Sequence, residues 1–145
     1  MHFISGGAFN GKRKYVKERL QSHYEWYSAY CNQSFPSIAN VQADIVVIEG
    51  IERYLYQFSQ QKSSIDYIRQ QFLGKMIEWK KWEEIKDNRK VIVIGTDITK
   101  GIVPLKAIDR KTRDVTGYCY QDLVQLSSDV TVIWFGLEKK LKGGK

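Results

Sequence analysis

The run Gly6-Gly7-Ala8-Phe9-Asn10-Gly11-Lys12-Arg13 fits the spacing G-x4-G-K, a pattern suited to holding phosphate. Gly6 and Gly11 allow backbone angles closed to other residues, so that successive N–H groups turn inward toward phosphate oxygens. A helix after such a loop adds its positive dipole end and its unpaired amides. Lys12 then reaches the outer phosphates as a point charge. Position 13 departs from the pattern, because Arg stands where Ser or Thr is usual. The missing hydroxyl is the one that ordinarily ligates Mg²⁺ between the β- and γ-phosphates. Arg13 either points to solvent or takes over part of the charge neutralisation. The eight residues from Gly6 to Arg13 are thus expected to hold the phosphates of a nucleotide, with Mg²⁺ held less well than in a loop carrying the hydroxyl.

Two carboxylates are placed to join them. Glu49 ends the apolar run DIVVIE, and Asp97 follows the run VIVIG. Parallel strands deliver their carboxyl ends to one edge of a sheet, where a phosphate loop also lies. A carboxylate there holds Mg²⁺ or its waters, or takes a proton from an attacking hydroxyl. The structural alternative for each is a helix cap or a surface ion pair. Lys12, Glu49 and Asp97 are the catalytic candidates, and Glu49 and Asp97 are also the metal candidates.

The elements that must position these residues follow from periodicity. A short strand is expected at His2 to Ile4, then the glycine-rich turn, then a helix from about Lys12 to Gln21. Tyr24 to Tyr30 is aromatic-rich, as strands tend to be. Asn32 to Gln42 carries Asn, Ser and Pro and reads as a loop. Asp44 to Glu49 is a β-branched run of the kind buried on both faces. From Ser63 to Lys86 the period becomes helical, with Ile65, Ile68, Phe72, Met76, Ile77 and Trp79 on one face and Ser63 or Ser64 as the cap. Val91 to Ile94 is a second buried strand, Thr112 to Leu126 a helix, and Val130 to Phe135 the last strand, ended by Gly136. Strands alternating with helices predict an α/β fold, with a mostly parallel central sheet and helices on both faces. No linker interrupts the 145 residues, so residues 1–145 are read as a single domain.

Composition narrows the partners. No apolar run approaches the ~20 residues of a membrane-spanning helix, and the first residues lack the apolar core of a secretory signal. A soluble, cytoplasmic protein is the expectation. Cys31 and Cys119 are far apart and read as reduced, small apolar side chains. The net charge of +7 calls for an anionic partner. Lys12, Arg13, Lys14, Lys17 and Arg19 form one cluster, and Lys139, Lys140, Lys142 and Lys145 form another. Nucleic acid is a weaker match than nucleotide, since Trp79 and Trp134 fall on a helix face and a strand and so suit packing. Trp26, Tyr27, Tyr54 and Tyr56 are read either as core and contact residues or as the lining for a flat ring.

With these residues in view, the chain resembles the adenosylcobinamide kinase/adenosylcobinamide-phosphate guanylyltransferase family. The likeness rests on GGAFNGK, on the strand ending in Glu49, and on Gly95-Thr96-Asp97, Gly101-Ile102-Val103-Pro104, Arg110, Arg113-Asp114, Gly117 and Gln121. It covers about half of the chain. It implies a three-layer P-loop NTPase-like fold and transfer of phosphate from ATP or GTP to the hydroxyl of a cobinamide-like corrinoid. It also implies a place in cobalamin biosynthesis and assembly as a homo-oligomer, trimers in particular. The family's guanylated histidine lies in a helix whose counterpart here, Cys31 to Asp44, has shrunk and holds no histidine. His2 and His23 lie elsewhere, so the guanylyltransferase step is expected to be lost. Arg13 for a hydroxyl, Thr96 for Asn, Asp97 for Glu, and Tyr120 and Asp122 in the late helix are further departures. They leave open a nucleotide- or corrinoid-binding relative with a regulatory or scaffolding role.

Overall fold

Runs of β-branched residues form the centre of the molecule, in a computed structural model that describes residues 1–21, 23–99 and 101–144. Six strands make one sheet: β1 (His2–Gly6), β2 (Tyr24–Ser28), β3 (Ile45–Glu49), β4 (Lys90–Thr96), β5 (Asp129–Trp134) and β6 (Leu137–Lys142). Their order is β2-β3-β4-β1-β5-β6, with β1 to β5 parallel and β6 antiparallel to β5. The fold is therefore α/β with a mostly parallel sheet. Among the described residues four α-helices accompany it: α1 (Lys12–Arg19), α2 (Ile51–Ser59), α3 (Ile65–Glu84) and α4 (Ala107–Leu126).

Side chains alternate across the strands and so divide the core in two. Val46 and Ile48 of β3 face α2, α3 and α4, together with Phe3, Val91, Val93 and Val130. Val47 faces the other way and joins Ile4, Ile94 and Ile133 under Tyr15 and Val16 of α1. Helices cover both faces, three on one side and one on the other. Because β3 is covered on both faces, Val46, Val47 and Ile48 are all wholly buried. That is why DIVVIE carries no polar alternation.

α3 is amphipathic over its whole length. Ile68, Phe72, Met76, Trp79 and Trp82 are buried, while Ile65 and Ile77 are half-buried. Ser64 caps the helix, its Oγ accepting from the Tyr67 N–H at 3.1 Å.

Several expectations are corrected. A helix, α2, occupies residues 51–59, which the sequence reading leaves without an element. The aromatic strand ends at Ser28, because the chain turns through a short 3-10 segment, Ala29–Cys31. A second 3-10 turn, Ile38–Asn40, interrupts the expected loop, and α4 begins at Ala107 rather than Thr112. The lysine-rich segment after Gly136 is not a tail: residues 137–142 pair with β5 as an edge strand. Lys145 of that basic cluster lies outside the described residues. Cys119 is buried as expected, but Cys31 is exposed. Trp134 lies in β5 yet is more than half exposed, being the last strand residue before the turn. Among the described residues no helix is long and apolar enough to cross a membrane.

Candidate functional site

The G-x4-G-K loop joins the carboxyl end of β1 to α1, at the edge of the sheet where β3 and β4 also end. Gly6 closes β1 at φ +152°, and a Cβ there would come within 2.2 Å of the Ile133 carbonyl oxygen. Only glycine fits. Gly11, at φ +92°, turns the chain into α1 and offers no side-chain cap. The first-turn amides of α1, which have no intrahelical acceptor, are thus left facing the loop. The residues of that turn are Lys12, Arg13 and Lys14, and none is acidic.

A cavity of about 620 Å³ opens over this turn, lined by the run from Ala8 to Lys14 and by Tyr30, Glu49, Glu52, Ile94 and Thr96. Lys12 is only 8% exposed, and its Nζ donates to the loop's own carbonyls, to Gly7 O at 2.7 Å and Gly6 O at 3.4 Å. Burial lowers the Lys12 pKa below the ordinary lysine value, partly offset by the negative charges of Glu52 and Glu49. Gly7 and Asn10 bracket a tight turn, with Asn10 N donating to Gly7 O. Phe9 at its tip is fully exposed.

Arg13 reaches across to β3. Its Nε donates to Glu49 Oε2 at 3.0 Å and its Nη2 to Glu49 Oε1 at 2.5 Å. Trp26 Nε1 also donates to Oε1, at 3.2 Å. Glu49 is buried, which by itself would raise its carboxyl pKa. Hydrogen bonds from Arg13, Ser28 and Trp26, with the guanidinium's charge, outweigh that and hold it below the usual carboxylate range.

Asp97 follows β4, as expected, and its N–H donates to Gly6 O at 2.9 Å. Its Oδ1 accepts from Thr99 N and Oγ1 at 2.9 and 2.7 Å, closing a turn, and Asp97 does not line the loop's cavity. The sheet edge therefore gathers the loop, Lys12, Arg13 and Glu49 into one cavity and leaves Asp97 beside it.

The carboxylate that sequence reading passes over is Glu52. It stands in the first turn of α2, with Oε1 accepting from the Thr96 N–H at 2.9 Å and Oε2 from the Tyr30 hydroxyl. Burial and that bond to Glu52 raise the Tyr30 pKa well above the ordinary tyrosine value. Tyr30 and Glu52 also line a second cavity of about 710 Å³, with Arg53, Tyr56, Asp109 and Arg113. The pair thus stands between two adjoining spaces. A signal for Glu52 was present: Ile51, Tyr54, Leu55 and Phe58 recur at helical spacing just after the strand and place Glu52 at a helix start.

Of the four aromatics considered as a ring lining, Tyr56 alone borders either cavity. Tyr54 is wholly buried in the core, and Trp26 and Tyr27 are half-buried on β2. His2 sits at the amino end of β1, across the sheet from the loop, with its Nε2 2.8 Å from Thr131 Oγ1.

The residues present do not suit a divalent metal. Position 13 supplies no hydroxyl, both oxygens of Glu49 are taken by Arg13, and Asp97 closes a turn. Among the described residues no group of three or more His, Cys, Asp or Glu side chains could hold a metal ion. No protein-family model matches the chain, and no curated protein matches it.

Proposed function

We propose that the chain takes the phosphate tail of ATP or GTP into the cavity over Gly6–Arg13 and passes the terminal phosphoryl group to a hydroxyl in the adjoining cavity. Such a reaction is that of the adenosylcobinamide kinases it resembles, without the guanylyl-transfer step. The observation that carries this reading is the start of α1. The first turn of α1 is wholly basic and has no side-chain cap. Glu49 holds Arg13 and the loop carbonyls hold Lys12, yet no acidic residue of that turn serves the dipole's positive end, and a bound anion would complement it. A central β1 feeding the loop, between β4 and β5, supports a P-loop NTPase-like fold.

In this mechanism the loop amides and Lys12 hold the phosphate oxygens. An incoming tail displaces the Gly6 and Gly7 carbonyls from Lys12 Nζ, and the ammonium then offsets the charge growing on the transferred group. The acceptor hydroxyl attacks the terminal phosphorus while the bond to the bridging oxygen breaks, leaving ADP or GDP. Glu52, facing both cavities, takes the hydroxyl proton, and Tyr30 fixes the carboxylate's orientation.

Incubation with cobinamide and ATP or GTP should yield cobinamide phosphate and the nucleoside diphosphate, and Lys12→Ala should abolish the product. No product with either nucleotide removes the transferase reading. The Arg13–Glu49 pair favours a second reading, nucleotide binding without turnover. That reading predicts thermal stabilisation by nucleotide, about 2.7 kcal/mol at 100 times Kd, with no product formed.

A further inference from the structure

Two protein groups usually place a divalent metal at a phosphate loop: a hydroxyl after the loop's lysine and a carboxylate at a neighbouring strand end. Here both positions are altered by one side chain. Arg13 removes the hydroxyl, and its guanidinium occupies the two oxygens of Glu49 through Nε and Nη2. A metal reaching Glu49 would first have to displace a bidentate, charge-assisted pair and leave a buried carboxylate to be re-satisfied.

Glu49 holds the guanidinium by Nε and Nη2, and the Cys31 thiol lies beside it as a second, weaker partner. Nη1 takes no part in the Glu49 contact, and the side chain, 47% exposed, lines the cavity over the loop. Arginine stays charged at every physiological pH and presents donors that match carboxylate and phosphate alike. Its ring contact with Trp26, 5.9 Å from the centroid, further restricts it. Lys12 and Lys14 flank it on the same turn.

We infer that Arg13, pinned by Glu49, is a built-in cation through which this site binds a nucleoside triphosphate without a divalent metal. This rests on the nucleotide reading above and concerns how that same site is charged.

Calorimetric titration of the protein with ATP, in EDTA and in Mg²⁺ at matched ionic strength, tests it. The wild type should show the same Kd in both buffers within about threefold. Arg13→Ser should bind at least tenfold more weakly in EDTA and recover in Mg²⁺. Arg13→Lys, which keeps the charge and loses the fork, should fall between them, and it serves alone if Arg13→Ser does not fold by circular dichroism. Wild-type binding that is tenfold or more tighter in Mg²⁺ overturns the inference and leaves the nucleotide reading standing. So does equal affinity of Arg13→Ser and wild type in EDTA. Silence of the wild type in both buffers overturns the two together.

Discussion

α3 and α1 are built on opposite terms. α3 runs for 20 residues with a serine cap, Asp66 in its first turn and a continuous buried stripe ending in Trp79 and Trp82. α1 has eight residues, no side-chain cap and a wholly basic first turn, and it buries only Lys12, Tyr15 and Val16. At its start and along its length α3 follows the rules for a helix that exists to close a core: a cap, an acid in the first turn and an apolar stripe. α1 breaks the same rules in its first turn alone, where the loop delivers it. α2 and α4 also begin without a side-chain cap, but each has an acid in its first turn, Glu52 or Asp109. Among the four described helices α1 alone has none there, beside a cavity, which points to an anionic ligand as its missing partner.

Removing the largest part of the α3 stripe should break the comparison most. Trp79→Ala is expected to cost about 3–5 kcal/mol in urea unfolding, while the affinity of the remaining folded protein for ATP stays unchanged. A matching loss of affinity would show that the two helices are not separable.

Alkaline pH should reach α1 through Lys12, and a variant lacking its ammonium isolates that contribution. Burial lowers the Lys12 pKa, so its protonated form costs folding energy below that pKa, and the cost is relieved as pH rises toward 10.5. ATP affinity should follow the opposite trend, falling by up to about tenfold per pH unit once Lys12 loses its proton. Wild type compared with Lys12→Met, by titration and by melting from pH 7 to 10, isolates both trends. Parallel rather than opposed curves would deny Lys12 its phosphate role.

The smallest effect makes the sharpest contrast. Lys14→Gln removes a cation from the first turn of α1, a gain of about 0.3–1 kcal/mol at the dipole, less about 0.2–0.5 kcal/mol for the lost Lys14–Glu18 pair. Ligand-free stability should therefore rise only slightly, while ATP binding weakens. Unchanged ATP affinity in Lys14→Gln would locate the anion elsewhere.

Much of the frame was legible because burial leaves a mark in sequence. β3 and β4 read as unbroken apolar runs because both faces of the sheet are covered, and α3 is long enough for its period to stand out. β6 was missed because all six of its residues are exposed and three are lysines, the composition that shields an edge strand from further pairing. α2 was missed although Ile51, Tyr54, Leu55 and Phe58 carry its period, and Glu52 went with it. The loop, Lys12, Arg13 and Glu49 were found singly. That Arg13 and Glu49 meet was not legible, since they are 36 residues apart and join only through the order β3-β4-β1.

The two glycines that begin the loop would behave differently in a library of random replacements. A side chain at Gly6 collides with the Ile133 backbone, so selection for a folded chain alone would return glycine there. At Gly7 a Cβ meets only the end of the Asn10 side chain, which has room to swing aside. Diversity at position 7 that disappears when growth or labelling is made to depend on triphosphate would therefore be a signature of the ligand, whereas a fixed glycine at position 6 is a signature of the scaffold.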